Sequence, residues 1–65
     1  MKPPSSTRVA LYLLYWYTKG MASGDEVLEA ARQLDEDELR HFKIVAGIAY
    51  RGETLARVNK LIEVL

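Results

Sequence analysis

Cysteine is absent from this chain of 65 residues, and histidine occurs once. Disulfide staples are excluded, and a structural zinc site has almost no thiolate or imidazole ligands to draw on. The 2 prolines stand together at Pro3 and Pro4, so no later element is interrupted by one. Charge of one sign is also lacking: 9 basic and 9 acidic side chains leave a formal net charge of zero. That balance argues against a nucleic-acid or membrane binder of the strongly basic kind. A membrane-length apolar run is missing too. The longest uncharged apolar stretch, Val9 to Thr18 (VALYLLYWYT), is about half of what a spanning helix needs.

That stretch has a superficial likeness to a secretory signal, with Lys2 and Arg8 before it and Met21-Ala22-Ser23-Gly24 after it. Its aromatic residues Tyr12, Tyr15, Trp16 and Tyr17, and Lys19 close to the supposed cleavage site, fit a signal poorly. The expectation is a cytoplasmic protein with no membrane partner, and the lack of cysteine agrees with it. A domain of this size buries only about 60% of the surface its unfolded chain exposes. Without disulfides or metal, such a core depends on unusually good helix packing or on association.

Three helices are expected. Met1 to Ser6 (residues 1–6) reads as a flexible arm, because the proline pair excludes regular helix there, and Ser5 or Ser6 can cap the first helix. Residues 7–65 then form one helical domain. Its first helix spans 7–19 and is ended by Gly20; unbroken apolarity without alternation marks it as a buried helix rather than a strand. A second helix over 24–34 starts with Ser23 as N-cap and Glu26 three residues on, the signature of a capping box. Val27, Leu28, Ala31 and Leu34 make its apolar stripe. Asp35 and Glu38 repeat the device at the start of a third helix over 36–65, so the Asp35-Glu36-Asp37-Glu38 run reads as a helix start rather than a cation site. Gly47 and Gly52 are the strongest breakers within it, and a kink or a break near Gly52 is the alternative to one continuous helix.

At about 100° per residue the third helix shows an apolar arc wider than one helical hairpin can cover. Ile44, Ile48, Leu55, Val58 and Ile62 lie along it, with Phe42, Val45, Ala46, Ala49, Gly52, Ala56 and Asn59 beside them. Val45, Ile48, Gly52, Leu55, Asn59 and Ile62 recur at the three- and four-residue spacings of a coiled-coil seam. The expectation is a self-associating all-α helical bundle, a homodimer joined along that seam. Arg51 falls on the same stripe, where it either snorkels outward or pairs with a carboxylate of the second helix, Asp25, Glu26 or Glu29; snorkelling is the simpler of the two.

Chemistry is sparse. Glu38-x-x-His41 has the spacing of a di-iron half-site, but Glu38 already serves the helix start. Neither a nucleophile–base pairing nor a phosphate-binding glycine loop is visible. The expectation is a non-enzyme without metal, cofactor or small-molecule substrate. Two macromolecular surfaces remain. Tyr12, Tyr15 and Trp16 concentrate aromatic anchors of the interface type on one helix, which suits a regulatory or adaptor protein that binds another protein. The alternative is nucleic acid, held by Arg8 and Lys19 around Tyr12 and Tyr15 and by a strip of Lys43, Tyr50 and Arg57 at heptad spacing.

Leu34-Asp35-Glu36-Asp37-Glu38-Leu39-x-x-Phe42 and, further on, Asn59-Lys60-Leu61 resemble the middle and end of Hha-type nucleoid-modulating proteins. The resemblance covers less than half of the chain, and its two parts stand further apart here than in that family. It implies a small helical regulator working through a protein partner, and assigns no role to any single residue.

Overall fold

The computed structural model describes residues 6–65, of which 78% are helical and none lies in a strand. Four helices succeed one another: α1 Ser6–Thr18, α2 Gly24–Arg32, α3 Glu36–Ala49 and α4 Gly52–Ile62. Most of the expected arm, Met1 to Ser5, lies outside the described residues, and Ser6 belongs to α1.

Local chemistry accounts for each boundary. At the end of α1 the Met21 amide donates to the Trp16 carbonyl at 2.8 Å and the Gly20 amide to the Tyr17 carbonyl at 3.1 Å. This is a Schellman closure, and it sets Gly20 at φ 76°, where a side chain would be strained. Ser23 caps α2 by accepting from the Glu26 amide at 3.2 Å. The capping box of α3 is complete: the Glu38 amide donates to Asp35 at 2.8 Å, and the Asp35 amide donates to Glu38 at 3.2 Å.

The long third helix does not form. Tyr50 and Arg51 are extended, and Gly52 opens α4 at φ 61°, in the left-handed region that non-glycine residues avoid. The reversal happens because a straight helix would carry Val58 and Ile62 past the end of the molecule. Folding α4 back buries both, and each such side chain contributes about 1.5–3 kcal/mol.

The core comprises Ala10 and Leu14 of α1, Val27 and Ala31 of α2 with Leu34 after it, Phe42 and Ala46 of α3, and Val58 and Ile62 of α4. Three of these residues are alanines, and Phe42 is the largest fully buried side chain. The second helix turns inward along the expected stripe, although Leu28 is only half-buried. For α3 the expected stripe is corrected. Phe42 and Ala46 face inward, whereas Ile44 and Ile48, on the opposite side of the helix, are 55% and 72% exposed.

The continuous seam falls with the long helix. Val45 and Ile48 belong to α3, Leu55, Asn59 and Ile62 belong to α4, and Gly52 stands at the reversal between them. Ile62 is part of the chain's own core, so the chain itself covers part of the arc that would have demanded a partner. Arg51 sits exposed at the N-cap of α4, and neither Asp25, Glu26 nor Glu29 pairs with it.

Glycine substitutions should separate the two helix segments. Gly52→Ala must place a Cβ in the left-handed region and should cost about 1–2 kcal/mol. Gly47 lies inside α3 with open space around its missing Cβ. Gly47→Ala should therefore stabilise by about 0.5–1 kcal/mol. Urea denaturation of the two variants is expected to show opposite signs; a continuous helix would give gains at both positions.

Candidate functional site

α1 has apolar residues on both its faces. Ala10 and Leu14 point into the core, while Val9, Tyr12 and Trp16 occupy the opposite side. A helix apolar all round is normally enclosed, so an outer face of this kind calls for a neighbour. Tyr12, Tyr15 and Trp16 are 61%, 46% and 42% exposed. They line a groove of about 490 Å³ together with Leu11 and Arg8. The Tyr15 and Trp16 rings meet edge to face, with centroids 5.5 Å apart, and the Lys19 ammonium lies 5.5 Å from the Tyr15 ring centroid. The expected protein-binding residues therefore form one surface. Its rigidity comes from ring-on-ring contact and from the helix beneath it.

The groove continues in both directions along α1. Past Arg8 and Leu11 it joins a depression of about 460 Å³ that also includes Thr7, Asp37, Glu38 and His41. There the half-buried Glu38 accepts a 3.4 Å hydrogen bond from the Thr7 hydroxyl as well as capping α3, which occupies both of its carboxylate oxygens. Past Tyr15 it joins a polar cleft of about 400 Å³ between the end of α1 and the turn from α3 to α4, lined by Thr18, Lys19, Tyr50, Arg51 and Thr54. Together these depressions make one trough, with Arg8 beside Asp37 and Glu38 at the α1 start, aromatic rings in the middle and Lys19 and Arg51 at the α1 end; Asp37 is paired with Arg40 at 3.6 Å. Tyr50 and Arg51 belong to it only because the chain turns where a continuous helix was expected, so the cleft was not legible from spacing.

The nucleic-acid strip is not assembled. Lys43, Tyr50 and Arg57 lie on α3, at the turn and on α4, so heptad spacing no longer aligns them. The Lys43 ammonium donates to the Leu65 carbonyl at 3.0 Å, and the Arg57 guanidinium lies over the Tyr17 ring at 5.4 Å. Tyr50 is half-buried and turned toward Thr18. Arg8 on α1 and Lys19 just after its last residue lie at opposite ends of the aromatic groove. Among the described residues no group of three or more histidine and carboxylate side chains is placed to hold a metal ion. No helix of the described chain is long and apolar enough to cross a membrane.

Comparison with known proteins adds no name: the chain matches no protein-family model, and no curated protein or solved structure matches it significantly. The Hha-type segments correspond here to the α3 capping box with the first turns of α3, and to the last turn of α4.

Burial holds the Tyr50 phenol above its ordinary value of 10.0; a hydrogen bond with Thr18 opposes this rise, and the nearby Tyr15 phenol adds to it. The folded chain thus keeps this proton at a pH where the unfolded chain releases it. Stability from this source is complete below the unfolded value and is lost as pH rises through the folded one. Denaturation profiles at about pH 8 and about pH 11 should show a decline in stability that Tyr50→Phe reduces; an unchanged decline would place the proton linkage on another residue.

Proposed function

We propose that this protein is a small non-enzymatic regulatory or adaptor protein, which self-associates and binds another protein through the trough on α1. The single observation that carries the reading is the solvent-facing cluster of Tyr12, Tyr15 and Trp16 on a helix without an acidic residue. Aromatic side chains of this type, set over an apolar floor and rimmed by charge, are the usual anchors of protein interfaces.

The cations at the α1 end of the trough favour one kind of partner segment. Lys19 and Arg51 favour carboxylates at the α1 end, whereas at the α1 start Glu38 has both oxygens bonded, Asp37 pairs with Arg40 at 3.6 Å and Arg8 adds a cation. An amphipathic helix commonly carries acids in its first turn and bases in its last. The partner segment is therefore an apolar-faced helix lying antiparallel to α1, with its acidic start over Lys19 and Arg51. Nucleic acid ranks below protein: net charge is zero, and Lys43 and Arg57 are engaged within the fold.

Tyr12→Ala combined with Trp16→Ala tests the reading, because both side chains are exposed and the fold should survive, as circular dichroism would verify. After nuclease treatment the wild type should retain a protein partner that the variant loses. A peptide spanning that partner's amphipathic helix should bind the purified protein, and bind the variant roughly 30-fold more weakly. A variant that keeps the same partner, or a wild type that carries only nuclease-sensitive material, would defeat the proposal.

A further inference from the structure

We infer that the polar cleft between the end of α1 and the start of α4 binds a phosphate monoester, its phosphate held by Lys19 and Arg51 and its organic part turned toward Tyr15. The site goes beyond the proposed protein partner, because its ligand needs neither Tyr12 nor Trp16.

The cleft encloses about 400 Å³, a size within the roughly 300–1,000 Å³ of small-molecule sites. Its walls include the half-buried hydroxyl-bearing side chains Thr18, Tyr50 and Thr54, and its rim carries the exposed Lys19 and Arg51. No carboxylate lines it. Among the described residues neither Lys19 nor Arg51 pairs with a carboxylate. In a chain of zero net charge, two cations thus share one concavity without a counter-charge.

Backbone charge does not cancel them. α1 and α3 both end at the cleft, and a helix C-terminus carries about half a negative charge; α4 begins there, with about half a positive charge. Against these partial charges stand two full cations, so the balance is positive. Glu53, on the first turn of α4, does not line the cleft.

The hydrogen-bond inventory separates wall from ligand-binding groups. The Thr18 hydroxyl donates to the Tyr15 carbonyl at 2.6 Å, and Tyr50 bonds with Thr18, so these two hydroxyls are already engaged. The Lys19 ammonium, the Arg51 guanidinium, the Thr54 hydroxyl and the first amides of α4, which no side chain caps, are left to face a ligand. A guanidinium grips two phosphate oxygens in parallel, and an ammonium adds a point charge. A phosphate monoester is nearly a dianion at neutral pH and balances both cations, whereas a carboxylate balances one. Tyr15 lines both this cleft and the aromatic groove, so the apolar surface beside the phosphate is a ring. A flat organic part can pack against it. The ligand class is therefore a ring-bearing phosphate monoester, a chemistry shared by nucleoside monophosphates and phosphorylated tyrosine. Neither the spacing of Lys19 nor that of Arg51 announces this site, because Arg51 and Thr54 reach the end of α1 only through the reversal at Gly52.

Titration followed by backbone amide shifts gives the test, with inorganic phosphate, phenyl phosphate and adenosine monophosphate as probes at constant ionic strength. Phenyl phosphate should move the Gly52, Glu53 and Thr54 amides saturably, with a Kd of about 1 mM or tighter, and bind about threefold tighter than inorganic phosphate. Adenosine monophosphate tighter than phenyl phosphate would identify a nucleotide as the ligand; the reverse order would identify a phosphorylated aromatic side chain. Lys19→Gln and Arg51→Gln should each weaken binding about fivefold. Lys60→Gln, which removes an exposed cation from the last turn of α4, should leave it unchanged. All three side chains are exposed, and unmoved amides of the core verify that the variants fold. Absence of saturation up to about 20 mM, equal losses in all three variants, or inorganic phosphate as tight as phenyl phosphate would overturn the inference.

Discussion

Everything in this molecule depends on the reversal at Tyr50, Arg51 and Gly52. With Gly52 at φ 61°, the chain leaves the direction of α3 and returns Val58 and Ile62 to the core. Without that turn, α1, α2 and α3 would have a core lacking its fourth wall, in a domain already short of buried surface. The same turn creates the cationic cleft, since it sets Tyr50 and Arg51 beside Thr18 and Lys19. One left-handed glycine thereby links stability to the charge distribution of the surface.

The second constraint is the double-sided character of α1. Its inner face supplies Ala10 and Leu14, which are fully buried, and its outer face carries Tyr12 and Trp16 in solvent. Large exposed aromatic residues do not help a monomer fold, because the surface they leave wet opposes solubility. Their grouping in one groove is the observation on which the proposed protein-binding role rests. The helix is also tied down at both ends, by the Thr7–Glu38 bond and by the Gly20 closure, so the groove is presented on a stiff support. Preorganisation of that kind lowers the entropic cost of binding.

The distribution of cations shows how much tertiary placement changes their meaning. Lys43 and Arg57 read as phosphate contacts when aligned on one straight helix. On separate helices one holds a backbone carbonyl and the other covers an aromatic ring. Arg51, read as an oddity on an apolar stripe, becomes an exposed residue at a helix start, and so needs neither snorkelling nor a carboxylate of α2.

The sequence by itself determined the all-helical class, the caps at Ser23 and Asp35, the stop at Gly20, the inward stripe of Val27, Ala31 and Leu34, and the aromatic cluster of α1. Each is local: a cap, a closure or a periodicity depends on residues within one or two turns. Only the tertiary structure decided where the third helix ends and which of its apolar residues face inward. Gly52 is compatible with a kink, a close contact or a full reversal, and the choice is made by where Val58 and Ile62 find cover. That cover comes from residues distant in the chain, and no spacing along a single helix encodes it. The same holds for the trough, whose carboxylate, aromatic and cationic parts come from three helices and a turn.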